Sequence, residues 1–155
     1  MEGRCTCGKV RYRLTDRPLF THCCHCTWCQ RETGSAFVLN ALIETACIEL
    51  HHGTPEQVVT PSASGKGQII HRCPRCKVAL WSHYAGAGEL MSFVRVGTLE
   101  DAAQLPPDIH IFTETKLPWV VLPKGVPAMP AFYRRSEHWP DWALKRREKA
   151  LAHRM

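Results

Sequence analysis

The sequence lacks any long apolar run, and no stretch approaches the roughly 18 consecutive apolar residues that suggest a transmembrane helix. Its opening residues, MEGRCTCG, also lack the apolar core of a signal peptide. No internal repeat is visible. We therefore expect no membrane partner and a cytoplasmic location, where thiols stay reduced. The 155 residues, 45% hydrophobic and 22% charged, suffice for one domain with a buried core.

Acidic residues are fewer than basic ones, 14 against 20, which gives a formal net charge of +6. Much of the basic excess falls late in the chain, at Arg134, Arg135, Lys145, Arg146, Arg147, Lys149 and Arg154. Such a tail can attract nucleic acid. It lacks, however, the interleaved aromatic residues that would favour single-strand binding. A solvated helix face is the favoured interpretation, and nucleic acid is not the expected partner.

Short segments of strand length separated by turn-forming residues predict a mainly β domain. The predicted strands cover residues 8–14, 36–43, 48–51, 57–60, 68–71, 78–83, 90–96 and 109–113. Thr98 and Asp101 resemble a capping box that opens a brief helix ending at Pro106. Residues 141–153 have helix-forming composition and follow Pro140. The predicted architecture is one mainly β unit with short helices and a C-terminal helical tail.

Nine cysteines, an odd number, are clustered at CxC and CxxC spacings. In a chain expected to stay in a reducing compartment, this pattern argues against a disulfide framework and favours zinc. Two pairs, Cys5 with Cys7 and Cys73 with Cys76, each supply half of a tetrahedral shell. Together they predict a structural zinc site, because four sulfurs leave no position for water or substrate.

The run HCCHCTWC at residues 22–29 contains a CxCxxC motif, from which Cys24, Cys26 and Cys29 can converge on a second ion. The fourth ligand of that ion is open. Cys23, His22 or His25 would close the shell and make the site structural. Water or a substrate atom would leave it reactive, as in catalytic zinc sites.

Four ordered motifs resemble the glutathione-dependent formaldehyde-activating enzymes, part of the GFA/CENP-V domain family of zinc proteins. They are CTCG at residues 5–8, CHCTWCQRETGS at 24–35, HRCPRC at 71–76 and KLPW at 116–119. The resemblance spans about residues 3–130 and leaves a basic tail at 131–155. It implies a small β-tent fold and two zinc ions. Cys5, Cys7, Cys73 and Cys76 match the structural ligands, and Cys24, Cys26 and Cys29 match the catalytic ones.

The resemblance also implies an activity, the joining of glutathione and formaldehyde into S-hydroxymethylglutathione, formally a carbon–sulfur lyase reaction run in reverse. A zinc ion held by three thiolates has a net charge near −1 and favours a soft ligand such as an incoming thiol, whose pKa it lowers. The expected partner is therefore a small thiol such as glutathione. The motifs define metal ligands better than they define the substrate.

Four residues in or after the motif are candidates for supporting roles. His25 could relay a proton, or it could be a buried structural histidine. Gln30, Arg31 and Ser35 could orient substrate, although a solvent-facing arginine is the simpler interpretation of Arg31 and residues 33–35 also suit a plain turn.

Two departures from the family pattern stand out: Lys77, where glycine is usual, and the additional thiol of Cys23. A rival hypothesis is a non-catalytic zinc-binding module that contacts nucleic acid or protein, with both metal sites closed.

Overall fold

The computed structural model describes residues 1–152, which leaves the predicted helical residue His153 and the basic Arg154 outside the described residues. Within residues 1–152, ten strands form two sheets and helices are short, which confirms the predicted mainly β class with a C-terminal helix. The strands are β1 (Glu2–Arg4), β2 (Arg11–Leu14), β3 (Phe20–Cys24), β4 (Val38–Glu44), β5 (Ile48–His52), β6 (Glu56–Thr60), β7 (Gln68–Arg72), β8 (Ala79–Tyr84), β9 (Met91–Arg95) and β10 (Ile109–Ile111). The helices are α1 (Thr27–Thr33), α2 (Arg135–His138) and α3 (Asp141–Ala152). No helix of the described chain is long and apolar enough to cross a membrane.

The small sheet has the strand order β1-β2-β5, and the large sheet has the order β10-β3-β4-β9-β8-β7-β6. Neighbouring strands are antiparallel except β10, which runs parallel to β3 with His110 opposite Cys23. The predicted strands therefore form, with ends shifted by a few residues, whereas β1 and β3 were not predicted. β3 gave no alternating signal because all five of its residues are buried.

Two hydrophobic clusters lie on opposite faces of the large sheet. The first joins Tyr12 and Leu14 of the small sheet to Ile43, Trp81 and Val94 of the large one. The second covers the other face, where β3, β4, β9 and β10 meet side chains of the C-terminal segment, residues 131–152. The large sheet is thus the middle of three layers, and each of its faces is sealed by a different part of the chain.

The C-terminal segment packs against the large sheet. Trp139 is buried and stacks on Phe20 with ring centroids 5.3 Å apart, and Ala143 of α3 is fully buried. Arg146 donates two hydrogen bonds to the carboxylate of Glu44, at 2.7 and 2.6 Å. Residues 131–152 therefore share a core with the β strands, and one of the basic residues in this segment is neutralised by the sheet.

The capping box predicted at Thr98 is wrong. Thr98 ends a 3₁₀ turn (Val96–Thr98), where its hydroxyl donates to the carbonyl of Arg95 and lies 2.6 Å from the hydroxyl of Tyr12. The helical turn that follows, Ala102–Gln104, has no side-chain cap. The oxygen that would cap a helix is used instead to tie β2 to the end of β9.

Candidate functional site

The four cysteines predicted to form one site do converge. Cys5, Cys7, Cys73 and Cys76 place their sulfurs within 4.8 Å of one another, and all four are free thiols. The sulfurs of Cys5 and Cys7 are 3.6 Å apart, and those of Cys7 and Cys73 are 3.7 Å apart. These distances are too long for a disulfide and close to the edge of about 3.8 Å expected for four sulfurs at 2.3 Å from a tetrahedral zinc ion.

The turn after Cys76 takes the conformation that glycine normally supplies. Lys77 has φ of +61°, and its amide donates to the carbonyl of Cys73. The amide of Cys76 points to the sulfur of Cys73 at 3.5 Å, and the amide of Val10 points to that of Cys5 at 3.3 Å. Backbone donors of this kind stabilise thiolates, so the donor set fits a zinc ion.

The run HCCHCTWC is divided by the alternation of side chains along β3. Cys24 belongs to the hydrophobic cluster on one face of the large sheet, where Cys26 and Cys29 join it. Cys23 and His25 group instead with His110. Within the described chain, the group of Cys24, Cys26 and Cys29 contains no fourth histidine, cysteine or carboxylate.

Cys24, Cys26 and Cys29 also place their sulfurs within 4.8 Å of one another. Cys26 is the N-cap residue of α1, and its sulfur accepts a hydrogen bond from the amide of Cys29 at 3.4 Å. Hydrogen bonds from the thiols of Cys24 and Cys29 lower the pKa of Cys26 to about 2. The same contacts raise the pKa of Cys24. A thiolate at the centre of the group and its convergent thiols fit a soft metal ion such as zinc.

Arg95 lies on the same sheet face and was missed by the sequence analysis. Its buried guanidinium donates to the side-chain oxygens of Asn40 and Ser82, while its Nε has no hydrogen-bond partner among the described residues. Contact with Cys24 lowers the pKa of Cys29, but contact with Cys26 and burial raise it, and the net effect is a rise to about 12. The nearby positive charge of Arg95 opposes that rise in part. The available signal was a charged residue in phase with Met91 and Phe93 along a predicted strand.

His22 stands in the same face, opposite Asn40 across β3 and β4. Its Nε2 lies 2.6 Å from the hydroxyl of Tyr133, which accepts a hydrogen bond from the indole of Trp139 at 2.7 Å. That acceptor role leaves the tyrosine proton free to be donated to His22. Burial, and then the charge of Arg135, lower the pKa of His22 to about 4. The imidazole is thus neutral and its Nε2 is occupied.

The three predicted substrate-binding residues lie on or beside α1, whose side chains are all at least partly accessible. Gln30 donates from its amide to the carbonyls of His25 and Thr115, at 2.8 and 2.9 Å, and so braces the loop after β10. Arg31 and Ser35 are exposed. Ser35 follows the left-handed C-cap residue Gly34, as the turn interpretation predicted.

Comparison with known proteins bears on this arrangement of cysteines. The model of the glutathione-dependent formaldehyde-activating enzyme family matches residues 1–115. The chain belongs to that family. The match includes all seven cysteines of the two groups, and α2 and α3 lie beyond it.

The chain is also similar to a named relative and to a solved structure. A Halomonas elongata protein, provisionally named a glutathione-dependent formaldehyde-activating enzyme, is 27% identical over 125 residues, covering 77% of this chain and 79% of that protein. A crystal structure of a Rhodobacter sphaeroides protein aligns with a TM-score of 0.50 at 16% identity, covering 83% of this chain and 99% of that one. The second similarity concerns the fold alone.

Proposed function

We propose that the protein is a zinc-dependent carbon–sulfur lyase of the S-hydroxymethylglutathione synthase type, located in the cytoplasm. It would cleave a thiol–aldehyde adduct such as S-hydroxymethylglutathione, or form that adduct from glutathione and formaldehyde. The observation that carries the proposal is the group of Cys24, Cys26 and Cys29, which has three convergent sulfurs and no fourth protein ligand among the described residues. Family membership supports the substrate class.

Two zinc ions have different roles in this proposal. Cys5, Cys7, Cys73 and Cys76 hold a structural ion that joins the N-terminal segment to the turn between β7 and β8. Cys24, Cys26 and Cys29 hold the second ion. When bound there, zinc supplies an open position for the sulfur of the substrate and lowers the pKa of a thiol.

The reaction forms one carbon–sulfur bond and transfers one proton from sulfur to oxygen. In the synthetic direction the thiol of glutathione loses its proton, its sulfur forms a bond to the aldehyde carbon, the carbonyl π electrons move to oxygen, and that oxygen takes up one proton in place of the one the thiol lost. Arg95 is the proposed hydrogen-bond donor to the negative charge that develops on this oxygen, because it is a buried cation near Cys29 and its Nε has no partner among the described residues. Asn40 and Ser82 orient its guanidinium. A donor fixed in place before charge develops lowers the barrier without reorganisation.

His25 has no direct part in this reaction, because its Nε2 lies with Cys23 and His110 rather than with the three-cysteine group. Recognition of the rest of the substrate is assigned to the accessible surface around α1. Arg31 is exposed there and suits a carboxylate of glutathione, and Ser35 follows the helix. Gln30 contributes by holding the loop after β10 in place.

The decisive experiment measures exchange between glutathione, ¹³C-formaldehyde and their adduct by NMR exchange spectroscopy. The zinc-loaded protein is expected to accelerate exchange, and Cys26→Ser should abolish the acceleration. Serine is a good N-cap residue, so the start of α1 is kept while the zinc ligand is weakened. Cys47→Ser is the control, because Cys47 belongs to neither cysteine group.

Acceleration that survives Cys26→Ser would contradict the proposed site. No acceleration with glutathione or with other small thiols would contradict the lyase activity. The second result would favour the alternative of a non-catalytic zinc-binding module that contacts nucleic acid or protein, whereas the first would place the activity at a different site. A nucleic-acid binding assay on the full chain would then test that alternative.

A further inference from the structure

A third group of potential ligands is buried behind the three-cysteine group. The sulfur of Cys23 lies 3.6 Å from Nε2 of His25, and that nitrogen lies 3.0 Å from Nδ1 of His110. All three ligand atoms fall within 4.8 Å of one another. The residues are 2%, 0% and 5% exposed, so their side chains are shielded from bulk solvent.

The backbone around this group is held on both sides. Cys23 and His110 face each other in the parallel pair of β3 and β10. The amide of His25 donates to the carbonyl of Ile111, and its carbonyl accepts from Gln30 and Thr115. The amide of His110 donates to the carbonyl of Pro127. Ligands on strands braced in this way are positioned before anything binds.

The separations suit a metal ion better than they suit hydrogen bonds alone. Nε2 of His25 contacts both the sulfur and the second imidazole, and one proton on that nitrogen can be donated fully to only one of them. A tetrahedral ion with metal–nitrogen bonds of about 2.05 Å and metal–sulfur bonds of about 2.3 Å places nitrogen and sulfur about 3.6 Å apart. It places two nitrogens about 3.3 Å apart, which requires a shift of a few tenths of an ångström from the structure.

We propose that Cys23, His25 and His110 form a third metal site, which binds a late first-row transition-metal ion such as zinc and clamps β10 to β3. One thiolate and two imidazoles are ligands that zinc and its neighbours in the row prefer. The ion would join two parts of the chain that are far apart in sequence, since His25 and His110 are separated by 85 positions. Its role is structural, because its three ligands are all buried whereas Cys26 and Cys29 are partly accessible to a substrate. It does not depend on whether the three-cysteine site is catalytic.

The two histidines of this site lack hydrogen-bond partners for their outer ring nitrogens among the described residues, which bears on how tightly an ion is held. With an ion between the inner atoms, the protons lie on Nδ1 of His25 and Nε2 of His110, and neither atom has a hydrogen-bond partner among the described residues. Loss of such outer partners typically weakens metal binding about 10- to 100-fold. Of the three sites, this one should therefore release its ion first to a chelator.

The test counts metal ions in the purified, metal-replete protein by inductively coupled plasma mass spectrometry, with native mass spectrometry as a second count. We expect three ions per chain in the parent protein and two in each of Cys23→Ser and His110→Gln. Cys47→Ser and His52→Gln are the matched controls and should keep three, because neither residue belongs to a ligand group. Anomalous scattering at the zinc edge should place the additional ion between the three side chains.

Two ions in the parent protein would overturn the proposal without reference to any variant, so a variant that fails to fold does not leave the question open. Three ions in both variants would overturn it as well, because the third ion would then be bound elsewhere. The count is independent of lyase activity. An inactive protein with three ions would contradict the proposed function alone, and an active one with two would contradict the third site alone.

Discussion

Lys77 has an unfavourable backbone torsion angle in the turn that positions Cys73 and Cys76. Its φ of +61° places an L-residue with a side chain in the left-handed region, where glycine is favoured. The side chain offsets part of that cost through an ion pair with Glu56 at 2.8 Å, which is largely solvent-exposed and so contributes little. The turn is therefore formed at some expense in stability.

Lys77→Gly should stabilise the protein, by about 0.5–1 kcal/mol, because relief of strain exceeds the added entropy of the unfolded chain. In a chain of this length the melting temperature would rise by a few degrees. Differential scanning calorimetry of the zinc-loaded protein measures this change. Lys77→Ala removes the same ion pair but keeps the strained torsion angle, and it should change little. Equal effects of the two substitutions would show that the torsion angle is not the cause.

Arg95 offers a test of charge stabilisation at the proposed active site. Arg95→Gln should lower kcat/KM by about 10²- to 10³-fold, as removal of one oxyanion donor does in other enzymes. Arg95→Lys should recover part of the loss, because it restores charge but not the planar fork held by Asn40 and Ser82. Exchange kinetics in the NMR assay measure both effects. Arg11→Gln, at an exposed position, is the control, and equal rates for Arg11→Gln and Arg95→Gln would exclude the role.

The grouping of cysteines could be predicted from the sequence, because CxC and CxxC spacings put thiols within reach of one ion. The position of Cys23 and His25 could not. Their separation from Cys24 follows from the alternation along β3, and that strand has no polar face to reveal it. Arg95 was missed for a related reason, since its neighbours on β4 and β8 are known only once the strands are paired.

At the scale of elements, the hydrogen-bonded chain from Trp139 through Tyr133 to His22 attaches the C-terminal segment to β3. The segment closes one face of the large sheet, and the three-cysteine group shares that hydrophobic cluster. Short helices such as α1 and α2 have little stability of their own. Their positions depend on contacts of this kind.

Trp139→Phe should destabilise the protein by about 1–2 kcal/mol, because it keeps an aromatic ring on Phe20 but removes the donor to Tyr133. Trp139→Ala should cost about 3–5 kcal/mol, since it also leaves a cavity. Urea unfolding followed by circular dichroism gives both values. Trp119→Phe is the matched control, because Trp119 is 70% exposed and its replacement should be neutral. Similar midpoints for all three variants would mean that the C-terminal segment does not support the core.

The C-terminal helix was predicted from composition and the strands from their length and from flanking turn residues, and both predictions agree with the structure. α1 was not predicted, because it is only seven residues long and buries none of its side chains. It begins where Cys26 caps it, and a cysteine is not a residue that ordinarily signals a helix start. The residues that begin this helix were interpreted only as a cysteine motif, so the helix itself was not predicted.

At the scale of the whole molecule, buried neutral histidines tie stability to pH. Burial lowers the pKa of His22 and of His71 to about 4, below the value of about 6.5 in an unfolded chain. Between these values the unfolded state binds more protons than the folded state does, so stability falls as pH decreases from about 6.5 to about 4. Above about pH 6.5 these histidines are neutral in both states and do not contribute to the pH dependence of stability.

His22→Gln should reduce this pH dependence by up to about 3 kcal/mol across the window, because the pKa of His22 is about 4 in the fold against about 6.5 in an unfolded chain. The glutamine oxygen can still accept from Tyr133, which limits other damage. Urea unfolding of the metal-loaded protein between pH 4 and 7.5 gives the slope. His52→Gln, at an exposed position, serves as the reference, and metal loss at low pH affects both variants alike. Identical slopes would show that His22 titrates normally in the fold.

The parallel pairing of β10 with β3 also sets the order in which the protein is completed during translation. Cys24, Cys26 and Cys29 leave the ribosome early, but Ile111 and Trp139, which pack in the same cluster, are synthesised more than 80 residues later. At about 5–20 residues per second, these three thiols stay uncovered for on the order of ten seconds before the rest of the cluster is synthesised. The nascent chain is therefore the stage at which these cysteines are most accessible to oxidants, and zinc bound at the proposed site would protect them before the fold is complete.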